Sequence, residues 1–164
     1  MTDHAPKLHC RAYICSNPNL EVRQSGAEGL GVFTAAPIRK DDEALIFFGR
    51  RIGYADEHIL GLGRHVFLRD SSAYVAYYLN HSGEPNCWVD YRFSLAILRA
   101  LRNIAPDEEL TFNYNTSDWT LKKPFRSTQK GRPVMIRGFK YLTPGERQRL
   151  NRSQRLPRYL KRAL

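Results

Sequence analysis

Asn80-His81-Ser82-Gly83-Glu84-Pro85-Asn86 is a polar, turn-rich stretch set among apolar ones. The aromatic and aliphatic run Tyr74-Val75-Ala76-Tyr77-Tyr78-Leu79 leads into it, and two strand-like runs, Trp88-Val89-Asp90-Tyr91 and Leu95-Ala96-Ile97-Leu98, lead away. A polar loop inserted between core elements is a common place for chemistry. Read alone, the stretch is equally an ordinary turn, because Asn, Ser-Gly and Pro are standard turn residues. Its meaning depends on two other places in the chain.

Upstream, Ser25-Gly26-Ala27-Glu28-Gly29-Leu30-Gly31 puts three glycines within six residues, after the alternating Leu20-Glu21-Val22-Arg23 and before Val32-Phe33. Backbone of this kind turns tightly or lies close to something. A dinucleotide fingerprint is excluded, since Thr34 stands at the offset of the third glycine and Pro37 interrupts the helix that should follow. Downstream, the turn Pro106-Asp107-Glu108-Glu109 precedes Leu110-Thr111-Phe112-Asn113-Tyr114, whose alternation predicts a strand with Leu110, Phe112 and Tyr114 on one face. Ala44-Leu45-Ile46-Phe47-Phe48, Arg50-Arg51-Ile52 and His65-Val66-Phe67-Leu68-Arg69 read as further short strands. Many short strands with Gly and Pro turns and little helix indicate a mainly β fold.

Composition sets bounds. A chain of 164 residues is one domain, and 42% hydrophobic with 26% charged residues describes a globular protein. No apolar run approaches a membrane span and the N-terminus lacks a signal-like pattern, so a cytoplasmic or nuclear location is expected. Cys10, Cys15 and Cys87 have no paired spacing, which excludes a disulfide framework and a four-cysteine zinc site.

The net charge of +10 is unevenly placed: residues 122–164 hold 14 Lys and Arg against the single Glu146, whereas residues 1–121 balance at −3. A basic end of this kind suits an acidic partner such as nucleic acid, or is a solvated face with no partner. Thr143, Pro144 and Glu146 have the spacing of a capping box, predicting a helix that stops near Pro157. Residues 147–164, with seven basic and no acidic side chains, are expected to be exposed.

The Gly29-Leu30-Gly31 turn, the Asn80-His81-Ser82 loop and the Glu108-to-Tyr114 strand, in that order and at those separations, resemble the SET-domain protein lysine methyltransferases. The resemblance runs from about Glu21 to Leu142, and includes Ile104-Ala105-Pro106-Asp107-Glu108-Glu109-Leu110 and Gly138-Phe139-Lys140-Tyr141-Leu142. It implies small curved sheets around a knot-like crossing, with a short C-terminal helix. The chain then divides into an N-terminal segment (1–20), a SET domain (21–121), a post-SET-like segment (122–142) and a basic helix or tail (143–164). By resemblance, Gly29, Leu30, Gly31, Asn80 and His81 bind S-adenosylmethionine, Tyr114 is the catalytic tyrosine, and Phe112 and Tyr114 line the substrate channel.

Two departures from the family accompany the match. Many members carry a zinc-binding Cys directly after Asn-His-Ser and three more near the C-terminus; here Gly83 and the cysteine-free Pro124-Phe125-Arg126-Ser127-Thr128-Gln129 stand instead, so a zinc-free variant is expected. Phe125, Trp119 and Phe139 are the alternatives for closing the pocket. Tyr77 stands where an arginine is frequent. The resemblance implies methylation of a lysine in a basic tail, histone or histone-like, with a ribosomal protein as another substrate class. The rival is a non-catalytic SET-like module docking on nucleic acid through residues 147–164. Phenylalanine rather than tyrosine at position 112 leads, by the family pattern, to di- or trimethyl-lysine.

Overall fold

The structure, a computed structural model, describes residues 8–9, 15–26, 29–53, 59–61, 67–69, 71–92 and 95–164. Alternation in Leu20-Glu21-Val22-Arg23 does produce a strand: β2 (Leu20–Ser25) lies between β1 (Leu8–His9) and β3 (Gly29–Thr34), all antiparallel. Leu20, Val22 and Val32 are completely buried, with Val22 opposite Val32. Burying each such side chain is worth roughly 1.5–3 kcal/mol.

The apolar run at 44–48 begins as β4 (Glu43–Ile46) and ends with Phe48 at the surface, stacked on Tyr74 with ring centroids 6.3 Å apart. Two small strands follow the run, β5 (Arg50–Ile52) and β6 (Ile59–Gly61), and both flank β7 (Phe67–Arg69). His65 and Val66, expected in that last strand, lie outside the described residues. Tyr74-to-Leu79 contains a 3-10 turn, Val75–Tyr78, and delivers the chain to β8 (Asn80–His81). The hairpin of β9 (Cys87–Arg92) and β10 (Leu95–Ala100) then adds to β4 in the order β4-β10-β9.

β8 pairs in parallel with β11 (Thr111–Phe112), Asn80 opposite Thr111 and His81 opposite Phe112. This pairing replaces two expectations. The Asn80-His81-Ser82 loop opens with two residues of strand, and the strand expected over 110–114 pairs only at its centre. The reason is competition: Leu110 N–H is taken by Val32 O at 2.7 Å, and the Asn113 side chain accepts from Asn115 N–H, starting a 3-10 turn at Tyr114–Thr116. The Gly29-Leu30-Gly31 segment is likewise not the turn itself but the opening of β3.

The C-terminal third is β12 (Phe125–Gln129), β13 (Arg132–Ile136), α1 (Pro144–Gln154) and α2 (Arg158–Lys161). The β12–β13 hairpin turns through Lys130 and Gly131, both at positive φ. The capping box forms as expected: Glu146 Oε2 accepts from Thr143 N–H at 2.7 Å, and Thr143 Oγ1 accepts from Glu146 N–H. The expected exposure of residues 147–164 is corrected. Leu156 and Leu160 are 2% and 0% exposed, packed with Phe139 in a second apolar cluster that Trp119, Leu150 and Tyr159 complete. Charge misled here because long basic side chains reach water from a backbone whose few apolar residues are buried.

Candidate active site

β3 carries the first part of the site. It pairs on one side with β2 and meets residues 107–110 on the other, through Thr34 N–H to Glu108 O and the Phe33–Glu109 bridge. A Cβ on Gly31 would collide with the Glu109 carboxylate and would lie 2.8 Å from Ser25 Cβ. Glycine is therefore required at Gly31 so that Glu109 can fold over the strand. That carboxylate accepts from Ser25 Oγ at 2.7 Å and from Asn80 Nδ2 at 2.8 Å, while Asn80 Nδ2 also donates to Leu30 O at 3.1 Å.

His81 is the second part. Its Nδ1 accepts from Tyr114 N–H at 3.2 Å, which ties the two paired threads together. Burial lowers its pKa to about 4, so the ring is neutral at pH 7. With Nδ1 accepting, the ring proton belongs on Nε2. Nε2 is buried and has no hydrogen-bond partner among the described residues, a condition rare enough in folded proteins to call for an explanation.

Tyr114 is the third part. Its hydroxyl donates to Leu79 O at 2.7 Å, so the phenol is aimed back at the residue before Asn80. The Tyr114 ring sits among Phe112, His81 and Phe125, with centroids at 4.9, 5.3 and 5.9 Å; His81 and Phe125 are 5.5 Å apart. Of the three aromatic residues considered for closing the pocket, Phe125 is the one at the site. Trp119 and Phe139 pack on each other in the C-terminal cluster.

Asn86 holds the crossing from the other side of the loop. It is 2% exposed; it donates to Glu109 O at 2.7 Å and to Glu108 Oε1 at 3.1 Å, and accepts from Thr111 N–H at 2.9 Å. Arg102 pairs with Glu108 and, as the largest influence, lowers that carboxyl to about 2.

The family model for the SET domain matches residues 54–115, the span that holds Asn80, His81, Phe112 and Tyr114. Among curated proteins, "Putative histone-lysine N-methyltransferase 1" of Plasmodium falciparum (isolate 3D7) is 27% identical over 122 residues, 62% of this chain. The chain spans 2% of the length of that relative. The crystal structure of KRYPTONITE in complex with mCHH DNA, an H3(1-15) peptide and SAH superposes with a TM-score of 0.56 at 26% identity, over 67% of this chain and 27% of that one. The methyltransferase domain of human histone-lysine N-methyltransferase SETMAR has the same fold, with a TM-score of 0.52 at 22% identity, over 58% of this chain and 44% of that one.

This chain contains a SET domain, matched over residues 54–115. Where many SET domains place a zinc-binding cysteine, it has Gly83, and a Cβ there would run into the Gln129 side chain. The β12–β13 hairpin thus lies directly on the Asn80-to-Gly83 segment, and its first residue, Phe125, reaches the site from that position. Among the described residues, no three His, Cys, Asp or Glu side chains gather as a metal site.

Sequence reading of this SET domain missed Glu109, Asn86 and Gln154. Glu109 and Asn86 lie inside the quoted stretches, so their chemistry was visible and only their partners were not. Gln154 had no local signal at all: it donates to Gly83 O at 3.1 Å and accepts from Asn113 Nδ2 at 3.0 Å, across 71 and 41 residues of chain.

Proposed function

We propose that this SET-domain protein transfers methyl groups from S-adenosylmethionine to lysine side chains of a protein, histone or histone-like. The observation that carries the reading is Tyr114: a phenol held by the Leu79 carbonyl, inside an aromatic group, against a neutral His81 whose Nε2–H has no partner among the described residues. S-adenosylmethionine supplies an electrophilic methyl group on a positively charged sulfur. Gly29, Leu30, Gly31, Asn80 and His81 are the residues that would hold it. His81 Nε2 offers a donor, and among the described residues nothing lies within 4 Å of the position of a Cβ on Gly29. Because Asn80 Nδ2 is spent on Leu30 and Glu109, its contribution to the ligand would be its carbonyl oxygen.

The chain's own work is positioning, worth several kcal/mol in well-oriented systems, and supplying an uncharged amine. An aromatic channel of Phe112, Tyr114 and Phe125 disfavours the ammonium form of an entering lysine, and the Tyr114 hydroxyl orients the amine. Phe112 has no hydroxyl to hold a water beside a methylated amine, so space remains for further methyl groups and di- or trimethyl-lysine is the product. KRYPTONITE, whose structure contains an H3 peptide, supports a histone-like substrate. The rival reading, a module that only docks on nucleic acid, has the exposed Arg149, Arg152, Arg158 and Arg162 in its favour, but has no need of the Tyr114 hydroxyl.

The test is incubation with labelled S-adenosylmethionine and a panel of histones, nucleoid proteins and ribosomal proteins, followed by mass spectrometry at exhaustive reaction. Tyr114→Phe is expected to lower kcat by roughly 100-fold or more, while affinity for S-adenosylhomocysteine is kept. Unimpaired turnover of the variant, or no labelled target for the parent protein, overturns the proposal.

A further inference from the structure

The C-terminal helix meets the crossing through one side chain. Gln154 is the last residue of α1, 9% exposed, and its two hydrogen bonds reach different threads: Gly83, two residues after His81, and Asn113, directly before Tyr114. The backbone pairing of these threads ends where Ser82 N–H donates to Phe112 O at 3.1 Å. The Gln154 amide adds the next rung from outside. Asn113 passes the constraint on, because its Oδ1 accepts from Asn115 N–H at 3.0 Å in the turn that carries Tyr114.

We propose that Gln154 is a positioning residue of the active site, holding Gly83 and Asn113 in register and thereby setting where His81 and Tyr114 stand. The chemistry of its two partners selects an amide. One is a carbonyl acceptor and the other an NH2 donor, so the bridging group must donate and accept at once. A carboxylate has nothing to donate, a cation nothing to accept with, and an aliphatic side chain leaves both groups unpaired. The bridge is also anchored on its C-terminal side. Arg155 pairs with Asp41 at 2.6 Å and lies over the Trp88 ring at 5.3 Å, and Leu156 is buried next to it. Residues 154–156 therefore link the site to the β4-β10-β9 sheet and to the second apolar cluster.

The kinetic part of this proposal rests on the methyl-transfer reading; the positioning part does not. The test uses the full chain carrying Gln154→Met, which keeps length without polar atoms, and Gln154→Glu, which loses the donor while ionised and regains an O–H donor when protonated. Amide exchange is followed at Ser82, Tyr114 and Asn115, whose N–H groups bond Phe112 O, His81 Nδ1 and Asn113 Oδ1. Affinity for S-adenosylhomocysteine is measured by calorimetry, and kcat and KM well below the melting temperature.

For Gln154→Met, exchange is expected to quicken at those three amides while the β2–β3 ladder stays protected, with kcat falling roughly 10- to 100-fold and peptide KM little changed. For Gln154→Glu, the defect relative to the parent should shrink as pH falls, because protonation restores the donor to Gly83 O. Parental exchange at the three amides, or faster exchange everywhere with parental turnover, makes Gln154 an ordinary core residue and overturns the proposal. If the parent protein methylates nothing, the function fails on its own, and the exchange pattern with its pH dependence still decides the role of Gln154.

Discussion

The crossing of residues 80–86 with 108–115 and the C-terminal cap of residues 125–160 touch each other, yet they are held by different means. At the crossing, side-chain amides reinforce the two-residue β8–β11 pairing: Asn80 and Asn86 both donate to Glu109, and Asn113 donates to Gln154. In the cap, packing carries it, through Phe139, Leu156 and Leu160, all nearly or wholly buried. Directional bonds fix a geometry to within tenths of an ångström, whereas apolar burial supplies free energy without specifying direction. A site that must place a histidine and a phenol needs the first kind; a cap that must hold together through a few apolar residues is served by the second.

The sharpest way to break this contrast is Leu160→Ala. If the cap is a true second core, the loss should be about 2–5 kcal/mol, seen as a lowered midpoint in a single cooperative unfolding transition. A change near zero, or a separate early transition, would show the cap to be an appendage.

Asp118 lies at the seam between the two regions and probes it by pH. Its carboxylate is buried, accepting from Ser117 Oγ at 2.7 Å and Gly61 N–H at 2.9 Å, and burial raises its pKa to about 7 from an ordinary value of 3.8. The folded protein thus retains a proton that the unfolded chain releases, and the associated stability is present below about pH 4 and lost as pH rises to about 7. The neighbouring phenols, Tyr91 and Tyr159, are pushed well above 10 by burial and do not titrate in this window. Asp118→Asn should therefore gain on the parent by roughly 2–4 kcal/mol between pH 4 and 7.5. His81 works oppositely, losing stability as pH falls from 6.5 to about 4, but it is common to both proteins and cancels in the difference. A difference in melting temperature that does not vary with pH would place Asp118 in contact with water.

The smallest expected effect lies where the regions touch. Gly83→Ala should cost about 1–3 kcal/mol, because the new methyl meets Gln129. Gln129→Ala in the same chain should recover most of that loss, giving a coupling measurable by a double-mutant cycle. Additive losses would mean that the hairpin does not bear on Gly83.

Much of the fold was legible because its signals are local. Alternation at Leu20-to-Arg23, the loop residues at 82–86 and the Thr143-to-Glu146 spacing each act through neighbours in the chain, and the structure retains all three. Catalytic-site candidates were legible through resemblance, and the structure brings His81, Phe112 and Tyr114 into one aromatic group. Strand ends at 110 and 113 were misread because their polar groups are claimed by Val32 and by Asn113's own side chain, partners that alternation cannot reveal.

By itself, then, the sequence determined a β-rich chain with a SET-like order of motifs, a tyrosine at position 114 on the motif after the turn, and cysteines only at positions 10, 15 and 87. Tertiary structure alone decided that Phe125 rather than Trp119 or Phe139 stands against His81 and Tyr114, that Glu109 fills the space over Gly31, and that Gln154 spans the crossing from a distant helix. The physical reason is range. Propensity and periodicity act over a few residues, whereas each of these contacts joins side chains separated by tens of residues, and only the folded backbone brings a donor to its acceptor.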